Sequence, residues 1–275
     1  MAANEDLFLC RKHCVDFYFF NSCDNIVMVI SMQQYFAKDK VNNRFILDDS
    51  DLFHIEKVMR MKNDDLIYVS FEDKIYESLI KFNKGQLSVE CVRETVINNE
   101  LNCNVTLIYG LPKGDKFEFV VQKATELGVA TIVPFAASRS VSVISKDKEM
   151  KKLERWNKIA KEASEQSKRN RLVKVEKVCD EDSILNYKSK LNLVAYEDVS
   201  SEGCNKLYNL LSKKYDSITL VVGPEGGFEQ REIDHLVENG FEVVSLGKRI
   251  LRSETAPLFL MSIISYMYEC GEDNE

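Results

Sequence analysis

The feature that most constrains the fold is an alternation of short apolar runs and helix-length amphipathic stretches that begins after Leu101. Residues 105–109 have the composition of a strand buried on both faces of a sheet. Residues 115–127 have apolar side chains on one helical face, and Asp115 and Glu118 have the spacing of an N-terminal capping box. This order repeats along the rest of the chain. It predicts a parallel sheet covered by helices on both faces.

The part of the chain before this alternation has the pattern of β structure. Several short apolar runs lie close to one another and are separated by polar, turn-like clusters, which predicts a small β-barrel or sheet domain. One helix is predicted after the first run, at residues 51–61. The predicted strands are residues 45–47, 66–71, 75–82 and 87–92.

These patterns predict three parts with different roles. Residues 1–31 are unlike the rest of the chain and are predicted to be an extension of unknown role, and Met32 is an alternative start. Residues 32–100 form the predicted β domain. Residues 101–272 form the predicted α/β domain, so that the main boundary lies near residue 100.

The charge balance and the apolar pattern exclude several classes of protein. The chain has 37 Lys and Arg against 44 Asp and Glu, a formal net charge of −7, which argues against a generic nucleic-acid coat. No stretch approaches the ~18 apolar residues that would cross a bilayer, and the N-terminus lacks the pattern of a secretion signal. A cytoplasmic protein without membrane contact is expected.

The eight cysteines are scattered and form no CxxC pair. In a chain of this length without a secretion signal, they are expected to be reduced thiols. Cys10, His13, Cys14 and Cys23 are close in sequence, but their spacing matches no common zinc pattern. No metal site is predicted.

Two loops of the α/β domain have unusual compositions for connectors. Ligands of open parallel sheets bind beyond the carboxyl ends of the strands, where both loops are expected. Residues 223–227 (GPEGG) follow a predicted buried strand, and their glycines permit close approach of the backbone to a ligand. The loop is neither GxGxxG nor a P-loop, so dinucleotide and triphosphate sites are disfavoured. A tight turn without a ligand is the alternative interpretation.

The second loop, residues 246–256 (LGKRILRSETA), joins the last predicted strand to the last predicted helix. It places Ile250 and Leu251 between arginines, which is unusual for a solvated connector. The alternative is an amphipathic turn that packs Ile250 and Leu251 into the core.

Basic residues are concentrated in residues 146–177, which contain twelve Lys and Arg against six Asp and Glu. The densest point is residues 168–171 (KRNR). A smaller basic group in the β domain includes Arg44, Lys57 and Arg60. Such clusters are typical of phosphate contacts, although a charge run is also the pattern of a solvated helix face.

Taken together and in order, these motifs resemble the RsmE family of the SPOUT class of methyltransferases, over residues 32 to about 268. Besides the two loops, the matching pieces include residues 54–61 (HIEKVMRM), 111–116 (LPKGDK) and 122–129 (QKATELGV). The resemblance implies a PUA-like β-barrel followed by a SPOUT-type parallel sheet with a C-terminal trefoil knot, working as a homodimer. It also implies methylation of N3 of uridine 1498 in 16S ribosomal RNA of the small subunit, with S-adenosyl-L-methionine (SAM) as the methyl donor.

The resemblance implies the cofactor residues, the need to stabilise a uracil anion suggests the catalytic ones, and the basic clusters suggest the RNA contacts. Those expected to bind the cofactor are Glu197, Gly223, Pro224, Glu225, Gly226, Gly227, Leu246, Gly247, Ile250 and Leu251. Those expected to act in catalysis are Arg252, Glu254 and Arg139, of which Glu254 is a candidate base or an orienter of Arg252. Those expected to bind RNA are Arg44, Lys57, Arg60, Lys168, Arg169 and Arg171.

The chain departs from the family pattern at Phe53, Ser253 and Pro257, and residues 1–31 have no counterpart. Three alternatives remain open. The first is a relative of the same knotted class that acts on tRNA or on a ribose 2′-hydroxyl. The second is an RNA-binding module that has lost SAM binding. The last is a Rossmann oxidoreductase, which the missing fingerprint disfavours.

Overall fold

The chain divides between Ile97 and Asn98 into two units in the computed structural model, which describes residues 32–140, 144, 146–196 and 201–270. The sequence predicts a boundary near residue 100. The predicted extension, residues 1–31, lies outside the described residues.

The first unit contains a six-stranded sheet with the order β1-β4-β5-β6-β3-β2. Only β1 and β4 pair in parallel, and the other pairs are antiparallel. The buried side chains of the sheet pack with Ile55 into one core. The strands are β1 (Gln34–Phe36), β2 (Asp39–Val41), β3 (Arg44–Ile46), β4 (Leu66–Phe71), β5 (Lys74–Asn83) and β6 (Gln86–Glu94).

The helix of this unit is shorter and less regular than predicted. Helix α1 (Asp49–Phe53) continues directly into a π-helical turn, His54–Val58. The helix was predicted at residues 51–61; the observed one starts two residues earlier, at Asp49, and ends before residue 61. Arg60 has a left-handed backbone with φ of 52°, a conformation that cannot continue a right-handed helix.

The second unit contains a six-stranded sheet with the order β12-β10-β11-β7-β8-β9. Every pair in it is parallel, as the strand–helix alternation predicts, so all its strands end at one edge. We call this the carboxyl edge, and the opposite one the amino edge. The strands are β7 (Asn104–Gly110), β8 (Thr131–Phe135), β9 (Lys174–Val175), β10 (Leu191–Ala195), β11 (Ser217–Val222) and β12 (Glu242–Val244).

Helices cover both faces of this parallel sheet. Neighbouring residues of β7 point to opposite faces, so that Leu107 belongs to one apolar core and Ile108 to the other. Helices α2, α3, α4 and α6 contribute buried side chains to the first core, and α5 contributes to the second. The helices are α2 (Lys116–Glu126), α3 (Lys146–Gln166), α4 (Ser201–Leu211), α5 (Gln230–Glu238) and α6 (Thr255–Glu269).

The predicted capping box of α2 is wrong. Asp115 is the N-cap residue, but its side chain makes no capping hydrogen bond. A capping box is found instead at α5, between Glu229 and Glu232. This difference matters for the site, because Glu232 also bonds to a second loop at the carboxyl edge.

Candidate cofactor site at the carboxyl edge of the parallel sheet

Both unusual loops lie at the carboxyl edge, as predicted. The loop of residues 223–229 follows β11, and the loop of residues 245–254 follows β12. Strand β10 lies between β11 and β12 and pairs in parallel with each. The two loops therefore leave the sheet in the same direction, with one strand, β10, between the strands that carry them.

The Gly-rich loop packs against the end of β7 at a point that only a glycine allows. A Cβ atom on Gly110 would lie 2.4 Å from Cδ and 2.5 Å from the backbone nitrogen of Pro224. Gly227 has a φ of +67°, and its N–H donates to the carbonyl of Pro224 at 2.9 Å, which closes a tight turn. Gly110 is not among the predicted site residues, although it is the last residue of a buried strand.

Arg139, a predicted catalytic residue, lies against this loop. A Cβ atom on Gly226 would be 2.9 Å from both the Cβ and the carbonyl oxygen of Arg139. The Arg139 guanidinium donates a 3.4 Å hydrogen bond to the Gly226 carbonyl and is exposed. The connector after β8 and the Gly-rich loop are thus in direct backbone contact.

A buried carboxylate holds these two segments together. Glu232 is 1% exposed, and its two oxygens accept from the N–H groups of Ser138 at 2.9 Å and Glu229 at 2.7 Å. Arg231 adds a 2.7 Å bond to the hydroxyl of Ser138. Glu232 was not predicted as part of the site, because only the fold brings it next to Ser138.

The loop after β12 divides its two apolar side chains between core and solvent. Leu246 and Leu251 are half-buried against the first core, whereas Ile250 is 81% exposed. The alternative of an amphipathic turn therefore describes Leu251 and is wrong for Ile250. Gly247 has a φ of +111°, which a residue with a side chain rarely adopts.

Ser253 ties this loop to the centre of the sheet. It is buried, and its hydroxyl accepts a 3.3 Å hydrogen bond from the hydroxyl of Tyr109 on β7. Burial raises the pKa of Tyr109 well above its ordinary value, so the phenol stays protonated and acts as the donor. The loop is thereby anchored directly beside Arg252, which is exposed.

One lysine contacts both loops. The Nζ of Lys116 lies 3.0 Å from Oε1 of Glu225 in the Gly-rich loop and 3.1 Å from Oε2 of Glu254 in the loop after β12. The carboxylate of Glu225 also accepts from the N–H of Lys113 at 3.2 and 3.4 Å. We call Lys116, Glu225 and Glu254 the charge clasp.

Each member of the charge clasp favours its charged form. Hydrogen bonds to Glu225 and Glu254 raise the pKa of Lys116. Burial alone would raise the pKa of Glu225, but hydrogen bonds from its own N–H and from Lys116 outweigh it and lower that pKa. A hydrogen bond from its own N–H, and then Lys116, lower the pKa of Glu254. Glu254 is therefore a weaker base than an ordinary glutamate.

The structure corrects the predicted basic contact of residues 168–171. Arg169 is 3% exposed and cannot reach RNA, because its guanidinium pairs with Glu100 at 2.5 Å and donates to the carbonyls of Thr125 and Val129. Lys168 is half-buried, and Arg171 is exposed. These residues lie at the amino edge of the sheet, opposite the candidate cofactor site.

Two open clefts also lie at the amino edge, with volumes of about 620 and 320 Å³. Their linings include Glu100 and Arg169 but none of the predicted cofactor residues. Lys57, Arg44 and Arg60 of the first unit are exposed. Arg44 pairs with Glu90 at 3.2 Å, and Lys57 pairs with Glu56 at 2.6 Å.

Glu197, predicted to bind the cofactor, lies outside the described residues. Within the residues that the structure describes, no group of three or more His, Cys, Asp or Glu side chains could hold a metal ion. Over the same part of the chain, no helix is both long and apolar enough to span a membrane.

Comparisons with known proteins identify the family of the chain. Residues 99–265 match the family described as an RNA methyltransferase domain, which defines the class of the second unit. The ribosomal RNA small subunit methyltransferase E of Bacillus subtilis is 38% identical over 250 residues, covering 86% of this chain and 98% of that protein. The protein of that name from Mesomycoplasma hyopneumoniae is 35% identical, covering 84% and 98%. The chain therefore belongs to the ribosomal RNA small subunit methyltransferase E family.

Solved structures show the same fold. The ribosomal RNA small subunit methyltransferase E of Neisseria gonorrhoeae, bound to S-adenosyl methionine, superposes with a TM-score of 0.75 at 29% identity, covering 86% of this chain and 98% of that one. A putative methyltransferase from Legionella pneumophila, in complex with SAM, has a TM-score of 0.76 at 28% identity, with coverage of 86% and 97%.

Proposed function

We propose that this protein is a SAM-dependent methyltransferase that methylates N3 of uridine 1498 in 16S ribosomal RNA of the small subunit. The observation that carries the proposal is the charge clasp: carboxylates from the two loops lie 3.0 and 3.1 Å from one lysine nitrogen. This shared contact supports a single site built from both loops rather than two separate turns. Membership of the family supports the reaction, and the SAM complexes of its relatives support the donor.

The residues of the two loops fit SAM. Gly223, Gly226 and Gly227 give a backbone that can approach a ligand closely, and Pro224 closes the turn. The exposed Ile250 and the half-buried Leu251 offer an apolar surface for the adenine. Leu246 and Gly247 would contribute backbone groups, and Glu197 would close the ribose side. The carboxylate of Glu225 pairs with Lys116 in the charge clasp.

Bound SAM supplies a methyl group that its sulfonium already activates, so the protein has to position the donor and the acceptor in line. N3 of uracil carries a proton at neutral pH and becomes an anion when that proton passes to solvent water. Arg139 and Arg252 are exposed at the site and would stabilise this anion by their charge. Glu254, whose pKa is lowered, would act as an orienter rather than as the base.

The RNA would be held by phosphate contacts from both units. Arg44, Lys57 and Arg60 on the first unit, which we propose to be a PUA-like barrel, and Lys168 and Arg171 on the second would provide them. Arg169 is not included, because it is buried. We further propose a SPOUT-type trefoil knot in the second unit, a homodimer and a cytoplasmic location.

The test uses small ribosomal subunits from a strain that lacks this protein. After incubation with the purified protein and SAM, digestion of the 16S RNA and mass spectrometry should give one new 3-methyluridine at position 1498. Replacing Arg252→Ala should reduce turnover by about 10²–10³-fold, since one charge-stabilising donor is lost. A methyl group on a ribose, on tRNA only, or on no RNA would refute the proposal.

Calorimetry separates the enzyme from an RNA-binding module that has lost SAM. The enzyme should bind SAM in the absence of RNA. A protein that binds small subunits but gives no heat with SAM would be the module instead.

A further inference from the structure

Lys116 is in an unfavourable place for its charge. It is the first residue of α2, where the helix dipole favours anions and disfavours cations. A cation at a helix N-terminus is unfavourable, so we expect a tertiary contact that offsets this electrostatic cost. Here the contact is with Glu225 and Glu254, which are 28% and 18% exposed.

The sheet itself does not join the two loops. Because β10 lies between β11 and β12, the strands that carry the loops are about 10 Å apart, twice the usual strand spacing. A long side chain from a third segment can bridge this distance. Lys116 is that side chain, as its 3.0 and 3.1 Å contacts show.

We propose that Lys116 is a positioning residue for the methyl donor: its ammonium holds the Gly-rich loop and the loop after β12 at the separation that SAM requires. This inference rests on the proposed function. Without Lys116, two carboxylates would face each other at the edge of the site with no cation between them, and like charges at this range repel. The loops would part, and SAM would bind less tightly.

The experiment measures the Kd of SAM by calorimetry for the wild type, Lys116→Met and Lys116→Arg. Lys116→Met should weaken SAM binding by about tenfold, within the range for residues that share one network. Lys116→Arg keeps the charge and should recover most of the affinity. In methylation assays the KM for SAM should rise with Lys116→Met, while the KM for small subunits stays unchanged.

Lys123→Met is the matched control. Lys123 is also on α2, is 38% exposed against 37% for Lys116, and pairs at 2.8 Å with Glu126 of the same helix. It contacts neither loop in the ion pairs described, and its replacement should leave the Kd of SAM unchanged. An equal loss of affinity in both variants would mean a general effect of removing a cation from α2, and would overturn the proposal.

The double variant Lys116→Met with Glu254→Gln tests the mechanism. It should bind SAM no more weakly than Lys116→Met alone, because the second change removes the repulsion that the first creates. Additive losses would contradict the clasp. If Lys116→Met does not fold, Glu254→Gln takes its place, and an unchanged Kd for SAM in that variant would overturn the proposal.

The experiments give different results depending on whether this inference or the proposed function is wrong. If the wild type neither binds SAM nor methylates RNA, the proposed function is wrong and the inference falls with it. If the wild type does both and Lys116→Met binds SAM equally well, only the role of Lys116 is wrong.

Discussion

The two edges of the parallel sheet each use one cation to join segments that are far apart in sequence, but they do so in opposite surroundings. At the amino edge, Arg169 and Glu100 are 3% and 8% exposed. At the carboxyl edge, Lys116 is 37% exposed and shares its single ammonium between two carboxylates. The first arrangement is shut off from solvent, whereas the second is open to it.

The two contacts also differ in how rigidly they hold their partners. The planar guanidinium of Arg169 forms a fork with both oxygens of Glu100 and also donates to two backbone carbonyls, so that it is held in one geometry. An ammonium on a flexible stem constrains its partners less. We infer that the contact at the amino edge stabilises the second unit, whereas the charge clasp sets the separation of the two loops and stays open to a ligand.

The largest expected effect is on stability, at the amino edge. Arg169→Met should lower the free energy of unfolding of the second unit by about 3–5 kcal/mol, because Glu100 would remain buried as an unpaired charge. Urea denaturation followed by tryptophan fluorescence measures it, since Trp156 is the only tryptophan and is buried in this unit. The exposed Arg171→Met is the control and should change stability by less than about 0.5 kcal/mol. If Arg169→Met unfolded at the same urea concentration as the wild type, the buried pair at the amino edge would not stabilise the second unit.

At the carboxyl edge, Gly226→Ala should weaken SAM binding by about tenfold, a loss of about 1.4 kcal/mol, because the loop backbone would have to shift from its place in the site. The added Cβ would collide with backbone and side-chain atoms of Arg139. Gly85→Ala, where a Cβ meets nothing within 4 Å, should leave SAM binding intact. Calorimetry provides the comparison, and unaltered affinity for Gly226→Ala would argue that the loop does not form the pocket.

A smaller effect is expected on RNA binding. Arg171→Ala should weaken binding to small subunits a few-fold at low salt and reduce the slope of log K against log salt by about one, the value for one lost phosphate contact. The Kd of SAM should not change. Filter binding at several salt concentrations tests this, and an identical slope would make the exposed part of the amino edge only a solvated face.

The smallest effect is the pH dependence of Glu254. Its folded-state pKa lies below the ordinary value of 4.5, so its stabilising contribution is present above pH 4.5 and is lost as the pH falls through the lowered pKa. The difference in thermal midpoint between wild type and Glu254→Gln should therefore be constant near neutral pH and vanish in acid. A difference that instead grows on acidification would reverse the sign of the pKa shift.

Much of the fold could be predicted from local pattern. Helix α2 was expected at residues 115–127 and is Lys116–Glu126, and both candidate loops follow parallel strands, as predicted. Strand β9, Lys174–Val175, was missed because two residues carry no periodicity. The prediction that all the basic residues of 168–171 contact RNA was wrong for Arg169, because the sequence does not distinguish a solvated arginine from a buried one.

Features that depend on neighbours along the chain could be predicted from the residues alone: the strand–helix order, the glycines of both loops, and the family that these motifs resemble. Which charged side chains pair with one another follows from the packed fold. Glu100 and Arg169 are 69 positions apart, and Glu225 reaches the backbone of Lys113 across 112 positions. Burial and pairing over such separations depend on how the strands are ordered in the sheet, and this order is a property of the packed chain rather than of any local segment.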